Sequence, residues 1–136
     1  MSEAAIRAVV DRFWAGWEGL DADAILATIA DDKRVIVVGT DADEYWVGRD
    51  AMVEPFRAMV ATFDEERVRW GAGDPVVEIR GDVGWVVGRA SVGVRTGTEI
   101  VTSAMRATFV LERADGDWRI VHAHFSVAPA APLVGY

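Results

Sequence analysis

The first third of the chain carries apolar residues at helical spacing. The stripe consists of Ile6, Val9, Val10, Phe13 and Trp17. This period predicts an amphipathic helix, and Gly19 marks its end. A short second helix is predicted from about Asp23, and a third over 50–64. Because proline is tolerated only in the first turn of a helix, Pro55 indicates that the third helix begins late or irregularly.

The rest of the chain is dominated by patterns typical of strands. A β-branched run at 34–38 predicts a buried strand, and a polar loop follows at 40–44. Longer strands are predicted at 67–80, 82–95, 99–113 and 117–127, separated by glycine-containing turns. Four long antiparallel strands after three helices predict an α+β domain with helices on one side of the sheet. The other face of the sheet is expected to meet a second subunit, most simply as a homodimer.

Composition narrows the classes of function. The chain has 136 residues, 51% of them hydrophobic, with six Trp and five Phe, which suffices for one domain with a core and an apolar cavity. The absence of cysteine excludes disulfides, thiolate metal sites and a cysteine nucleophile. A net charge of −8 disfavours nucleic acid as a partner. No apolar run is long enough to cross a membrane, and the start lacks the features of a signal peptide, so a cytoplasmic location is expected.

The segment 115–126 reads Asp-Gly-Asp-Trp-Arg-Ile-Val-His-Ala-His-Phe-Ser. It resembles the last hairpin of SnoaL-like domains, within the nuclear transport factor 2-like (NTF2-like) superfamily. It is also similar to the association domain of calcium/calmodulin-dependent protein kinase II, where an Ala/Pro-rich stretch follows as it does at 128–132. Segment 39–49 resembles the loop before the third helix of the SnoaL-like group.

This resemblance implies one SnoaL-like domain over 1–136 with a cone-shaped NTF2-like fold. Three N-terminal helices would pack on a curved, mainly antiparallel sheet and enclose a pocket. The superfamily includes isomerases, cyclases, dehydratases, hydrolases, carriers and assembly modules, so the fold does not choose among them. An enzyme of this kind would be a cofactor-independent isomerase, cyclase or dehydratase.

Two arginines interrupt the apolar strands. Arg89 shares a strand face with Trp85 and Val87, and Arg106 lies between small residues of the next strand. One interpretation is that both point into the pocket and bind an anionic ligand, because a guanidinium suits carboxylates. The resemblance supports it, since arginines line the pocket of the kinase association domain, although Phe125 replaces one of them here. The alternative is internal salt bridges to nearby glutamates.

The candidate acid–base groups are one glutamate and two histidines. Glu44, beside Tyr45 and Trp46, is the best local candidate for a base in an apolar pocket, and a solvated loop is the alternative. His122 and His124 share one strand face. Catalysis by His122, ligand contact by His124 and hydrogen bonding within the sheet all stay open. A metal site is not predicted, because no third ligand is evident nearby.

The aromatic residues favour an apolar pocket. Most are expected in the core, with Trp17 and Trp46 at the mouth of the cavity. Three hypotheses follow from these features. The chain binds a small anionic or carbonyl-bearing molecule, or is an isomerase- or cyclase-type enzyme, or is a non-catalytic dimerisation module.

Overall fold

The computed structural model describes residues 2–71 and 74–128. The predicted irregular tail from residue 129 onward lies outside these residues. The elements follow in the order α1 (Ser2–Glu18), α2 (Ala22–Leu26), β1 (Ile36–Val38), β2 (Tyr45–Val47), α3 (Arg49–Ala61), β3 (Glu65–Trp70), β4 (Val76–Arg80), β5 (Val83–Thr96), β6 (Glu99–Ala114) and β7 (Asp117–Val127). The expected α+β class, with three helices on a curved, mainly antiparallel sheet, is confirmed.

The two longest strands form the centre of a seven-stranded sheet. β5 and β6 pair antiparallel along their whole length, from Val83 opposite Glu112 to Thr96 opposite Glu99. The sheet order is β2-β1-β7-β6-β5-β3, and β4 pairs with the other half of β5. Only β1 and β7 run parallel among the described pairs. The long β5–β6 hairpin therefore serves as the base on which shorter strands are arranged.

Buried and exposed residues alternate along the central strands, and this alternation shows which face of the sheet the helices cover. On β5, Val86, Ala90 and Val92 are buried, whereas Val87 and Arg89 between them are exposed. Because successive side chains point to opposite faces, the first set forms the inner face and the second the outer face. The stripe of α1 packs on the inner face, where the Phe13 ring lies 5.1 Å from that of Phe109 on β6.

Several element boundaries differ from the predictions. The single strand expected at 67–80 is two strands, β3 and β4, because the chain turns through Gly71 and Asp74, both with positive φ. A short strand, β2, forms after the acidic loop. α3 begins at Arg49 and contains Pro55 in its interior, so the expectation of a late start was wrong. Among the described residues, no helix is long and apolar enough to cross a membrane.

A glycine allows α1 and α2 to approach closely. A Cβ at Gly16 would lie 2.8 Å from Ile25 Cγ1 and 3.1 Å from the Ile25 backbone nitrogen. We expect Gly16→Ala to lower the free energy of unfolding by about 1–2 kcal/mol. Overpacking costs about 1–3 kcal/mol, which exceeds the gain of about 1 kcal/mol from helix propensity. Urea unfolding measures the difference.

Gly19→Ala is the matched control for this substitution. Its Cβ would meet the carbonyl oxygens of Ala15, at 3.5 Å, and Gly16, at 3.8 Å, which are ordinary contacts. That variant is expected to stay within about 1 kcal/mol of the wild type. Equal stability of the two variants would show that the interhelical contact is not tight.

A candidate ligand pocket between helices and sheet

A cavity of about 210 Å³ lies between the helices and the inner face of the sheet. Pockets for drug-sized ligands occupy roughly 300–1,000 Å³, so this one suits a smaller molecule. Its lining comes from α1, α3, most strands and the segments between them: Phe13, Trp14, Trp17, Ile29, Val37, Gly39, Thr40, Asp41, Glu44, Trp46, Met52, Phe56, Met59, Phe63, Glu66, Val92, Val94, Ser103, Met105, Ala123 and Phe125. Most of these side chains are apolar, and ten of the 21 carry an aromatic ring or a methionine thioether.

The charged groups of the lining all have the same sign. Asp41, Glu44 and Glu66 are carboxyl groups, and no lysine or arginine occurs among the described lining residues. The potential inside the cavity is therefore negative whenever these groups are ionised, and low-dielectric walls strengthen it. A cavity of this kind repels an anionic ligand.

Glu66 is the most unusual of these residues. It lies on the inner face of β3, with only 7% of its surface exposed. Its Oε2 atom is buried and has no hydrogen-bond partner among the described residues. Burial raises the pKa of Glu66 to about 7, and the nearby Glu18 carboxylate contributes in the same direction. The group therefore changes charge near neutral pH.

Glu44 lies in the loop before β2 and is half-buried. The backbone N–H of Asp41 donates a 3.0 Å hydrogen bond to Glu44 Oε1. The side chain folds over Gly39, and a Cβ at that position would overlap it. Burial raises the pKa of Glu44, and the Asp41 and Asp43 carboxylates add to this effect. The structure thus places Glu44 on the cavity, whereas a catalytic role for it stays a prediction.

Aromatic rings form much of the cavity wall. The rings of Trp17 and Phe56 lie 5.2 Å apart, and those of Trp46 and Phe56 lie 6.5 Å apart, both edge-to-face. Trp17 and Trp46 are only partly buried, and both line the cavity as predicted from their spacing. Such rings offer flat, apolar contact area to a ligand. Their contact with a ligand is still a prediction.

The expectation that Arg89 and Arg106 point into the pocket is wrong. The two residues lie directly opposite each other on β5 and β6, both exposed, and neither belongs to the cavity lining. The period of two along the strand correctly places Arg89 on the same face as Val87. The helices, however, cover the opposite face of the sheet. Arg106 Nε donates a 3.0 Å hydrogen bond to Ser126 Oγ on β7. No salt bridge to either arginine occurs within the described residues.

The two histidines also lie on the outer face. On β7, Ala123 and Phe125 line the cavity, so His122 and His124 point the other way. His122 Nδ1 is 2.9 Å from the backbone oxygen of Ile36 on the neighbouring strand β1, a contact within the sheet. His124 is exposed. Neither histidine reaches a ligand in the cavity, which removes the acid–base role considered for His122 there.

Glu66 was missed from the sequence because the predicted strand began at residue 67, two residues too late. With the strand begun at Glu65, Glu66 alternates in step with Val68 and Trp70. An acidic residue in register with two apolar ones on a strand is the signal that could have found it. Glu66 would then have been predicted to face the core without a local partner.

Comparison with known proteins fits this geometry. The family model described as a SnoaL-like domain matches residues 6–131, so the chain belongs to the SnoaL-like domain family. A comparison with proteins of curated function finds no match.

Solved structures with the same fold come from several bacteria. An NTF2-like superfamily protein from Salmonella enterica matches with a TM-score of 0.84 and 17% identity, over 98% of this chain and 96% of the other. A ketosteroid isomerase-like protein from Erwinia carotovora matches with a TM-score of 0.77 and 19% identity, over 96% of this chain and 97% of the other. A third structure, from Thiobacillus denitrificans, is provisionally assigned as a calcium/calmodulin-dependent protein kinase type II association domain. It matches with a TM-score of 0.76 and 24% identity, over 90% of this chain and 94% of the other. These similarities confirm the NTF2-like fold.

The buried Glu66 has a measurable consequence for stability. Its pKa is about 7 in the folded protein and about 4.5 in the unfolded chain. Above pH 7 the native state must hold a buried charge, a cost that is absent below pH 4.5. Glu66→Gln is therefore expected to stabilise the protein by on the order of 2 kcal/mol near pH 8, after allowing for water in the cavity. The variant should show no such gain near pH 4.

Urea unfolding of both proteins at the two pH values measures this difference. Glu54→Gln, at an exposed position of α3, is the control. Its free energy of unfolding should be similar to that of the wild type at both pH values. The same stabilisation of Glu66→Gln at low and high pH would contradict a raised pKa for Glu66.

Proposed function

We propose that this chain binds a small, non-anionic ring compound in the cavity and exchanges a proton with it through Glu66. The reaction type is that of a cofactor-independent isomerase, cyclase or dehydratase. The observation that carries the proposal is the buried Glu66 carboxyl without a hydrogen-bond partner in an apolar cavity. An unpaired buried carboxyl destabilises the fold, and such groups are concentrated at functional sites.

The charge of the lining favours a carbonyl compound over an anion as the ligand. With Arg89 and Arg106 on the outer face, the described lining has no cation to bind a carboxylate. A neutral ketone faces no such repulsion. In its protonated form, Glu66 can donate a hydrogen bond to the carbonyl oxygen, as neutral carboxylic acids do in apolar sites.

Proton transfer is assigned to Glu66 rather than to Glu44. A general base works best with a pKa near the pH at which it operates, and the pKa of Glu66 is about 7. In its ionised form, Glu66 removes a proton from the carbon next to the carbonyl, which leaves an enolate. The same proton returned to another carbon gives an isomer, and no cofactor is consumed. Glu44, half-buried at the rim, is less shielded from water.

The comparisons support an acid–base enzyme at the level of the fold. One neighbour is described as ketosteroid isomerase-like, and its fold is shared over 96% of this chain. At 19% identity this likeness does not transfer the reaction. It supports the proposal because a fold that also occurs in a ketosteroid isomerase-like protein here has a carboxyl group in its cavity.

Proton exchange on a simple ketone tests the proposal. β-Tetralone is a neutral two-ring ketone with acidic hydrogens beside its carbonyl. In deuterated buffer, the protein should accelerate loss of those hydrogens, with a rate that rises through about pH 7 and then levels off. Glu66→Gln should lower the catalysed rate by about 10²–10⁴-fold, the usual contribution of a positioned acid or base. Proton NMR follows the exchange.

Glu54→Gln is the control and should keep the wild-type rate, because its carboxyl is on the outside of α3. Circular dichroism confirms that each variant is folded. Wild-type exchange no faster than in buffer, or an unchanged rate in Glu66→Gln, would remove Glu66 from the proposed reaction.

A second proposal concerns assembly. The outer face of the sheet exposes apolar side chains, including Val87, with 41% of its surface exposed, and Ile100, with 70%. Exposed apolar surface of this kind is typical of protein interfaces. A solved structure described as an association domain has the same fold. We therefore propose that the outer face joins two copies in a homodimer, an arrangement that leaves the cavity free for a ligand.

Val87→Glu tests the dimer. A charge at the centre of an apolar interface is expected to convert a dimer into monomers, because a buried unpaired carboxylate is costly. Sedimentation equilibrium of the wild type and the variant gives the mass of each. Ala15→Glu, at an exposed position of α1, should remain dimeric. A monomeric wild-type protein, or a dimeric Val87→Glu variant, would refute this interface.

A further inference from the structure

The rim of the cavity concentrates negative charge without a balancing cation. Glu44 and Asp41 both belong to the lining and are three residues apart on one loop. The Glu44 carboxylate is held in place by the Asp41 N–H, and it is half-buried. Glu44 forms no ion pair within the described residues. A carboxylate kept partly out of water in this way lacks a counter-ion.

A second observation also points to a bound molecule. Glu66 is more than nine-tenths buried, faces the same cavity, and has an oxygen with no partner among the described residues. It adds negative potential behind the rim when it is ionised. The cavity thus has carboxyl groups at two depths, one within the apolar interior and one at the entrance.

The remaining wall of the cavity suits a cation as well. Trp17 and Trp46 line the cavity and are partly exposed, and their ring faces carry negative charge density. Such faces attract ammonium groups. A protonated amine at the rim would therefore meet both a carboxylate and aromatic faces, whereas a carboxylate ligand would meet repulsion from both.

We propose that the cavity selects small ring compounds that carry a protonated amino group, with the amine at Glu44 and Asp41 and the ring in the apolar interior. This inference rests on the proposed function for its location and adds the chemical class of the ligand. Glu66 keeps the proton-transfer role at the inner end. Glu44 acts in binding by supplying the counter-ion.

Three ligands that differ only in one terminal group test the inference. Tryptamine, tryptophol and indoleacetate share an indole ring and end in an amine, a hydroxyl and a carboxylate. Calorimetric titration near neutral pH should show tryptamine binding at least about tenfold more tightly than tryptophol, a difference of 1.4 kcal/mol, and indoleacetate the most weakly. Tryptamine affinity should fall as salt is added, because rim charges are partly screened, whereas tryptophol affinity should not.

Glu44→Gln removes the rim charge while keeping the size and the hydrogen bond from the Asp41 N–H. This variant should bind tryptamine about tenfold more weakly, and its affinity for tryptophol should change by less than about threefold. Glu54→Gln should leave both affinities unchanged. A thermal unfolding curve confirms that the Glu44 variant is folded, so that a loss confined to tryptamine reports the ion pair.

The outcomes separate this inference from the proposed function. Equal binding of tryptamine and tryptophol, tighter binding of indoleacetate, or an undiminished preference for tryptamine in Glu44→Gln would each overturn the amine subsite. Proton exchange on β-tetralone would be unaffected by those results, since that ketone has no amine. Failure of exchange with intact amine selectivity would instead refute only the role of Glu66.

Discussion

The alternation of side chains along the β5–β6 pair is the constraint on which the rest of the molecule depends. Residues Val83 to Thr96 are paired with residues Glu99 to Glu112, so one shift in register would exchange their faces. The inner face carries Phe109 and Leu111, both fully buried, and receives the helices. The same alternation sends Arg89 and Arg106 outward. The positions of both candidate arginines therefore follow from this choice of face.

The cavity exists because the inner face is not completely filled. The core between α1 and the sheet is closed by ring contacts such as Phe13 with Phe109, at 5.1 Å. Farther along β5 and β6, smaller side chains such as Val94 and Ser103 leave space beside the rings of α3. A dry interior would favour an apolar residue at position 66. A carboxyl there lowers stability above neutral pH, which is consistent with a role in binding or catalysis.

Much of the fold could be predicted from sequence, because long periodic segments are strong signals. The stripe of α1 and the alternation of β5, β6 and β7 gave the correct elements, and the 115–126 hairpin resembled the right superfamily. Shorter features were less predictable. β2 has three residues, and the break at Gly71 depends on a positive φ that strand propensity does not contain. Pro55 led to a wrong prediction of where α3 begins, because the helix continues through the proline and packs its buried side chains on both sides of it.

The candidate site was harder to predict for a different physical reason. A period of two shows which residues share a face, but not which face the helices will cover. Trp17, Trp46 and Glu44 do line the cavity: Trp17 lies on the apolar side of α1, and the other two lie in and directly after the loop at the rim. Arg89 and His122 were assigned to the pocket on the assumption that a polar residue within an apolar strand faces inward. Here both faces of the central strands are apolar, so that assumption had no basis.

The two faces of the sheet consequently differ in charge, and this difference connects the proposals. Exposed Arg89 and Arg106 lie side by side on the outer face, and the described charges of the cavity are all carboxyl groups. Because the sheet separates the two sets, the arginines contact none of the cavity lining and form no ion pair with its carboxyl groups. Those carboxyl groups therefore stay unpaired unless a ligand supplies the partner. The interior keeps a negative potential that favours cations and neutral carbonyl compounds over anions.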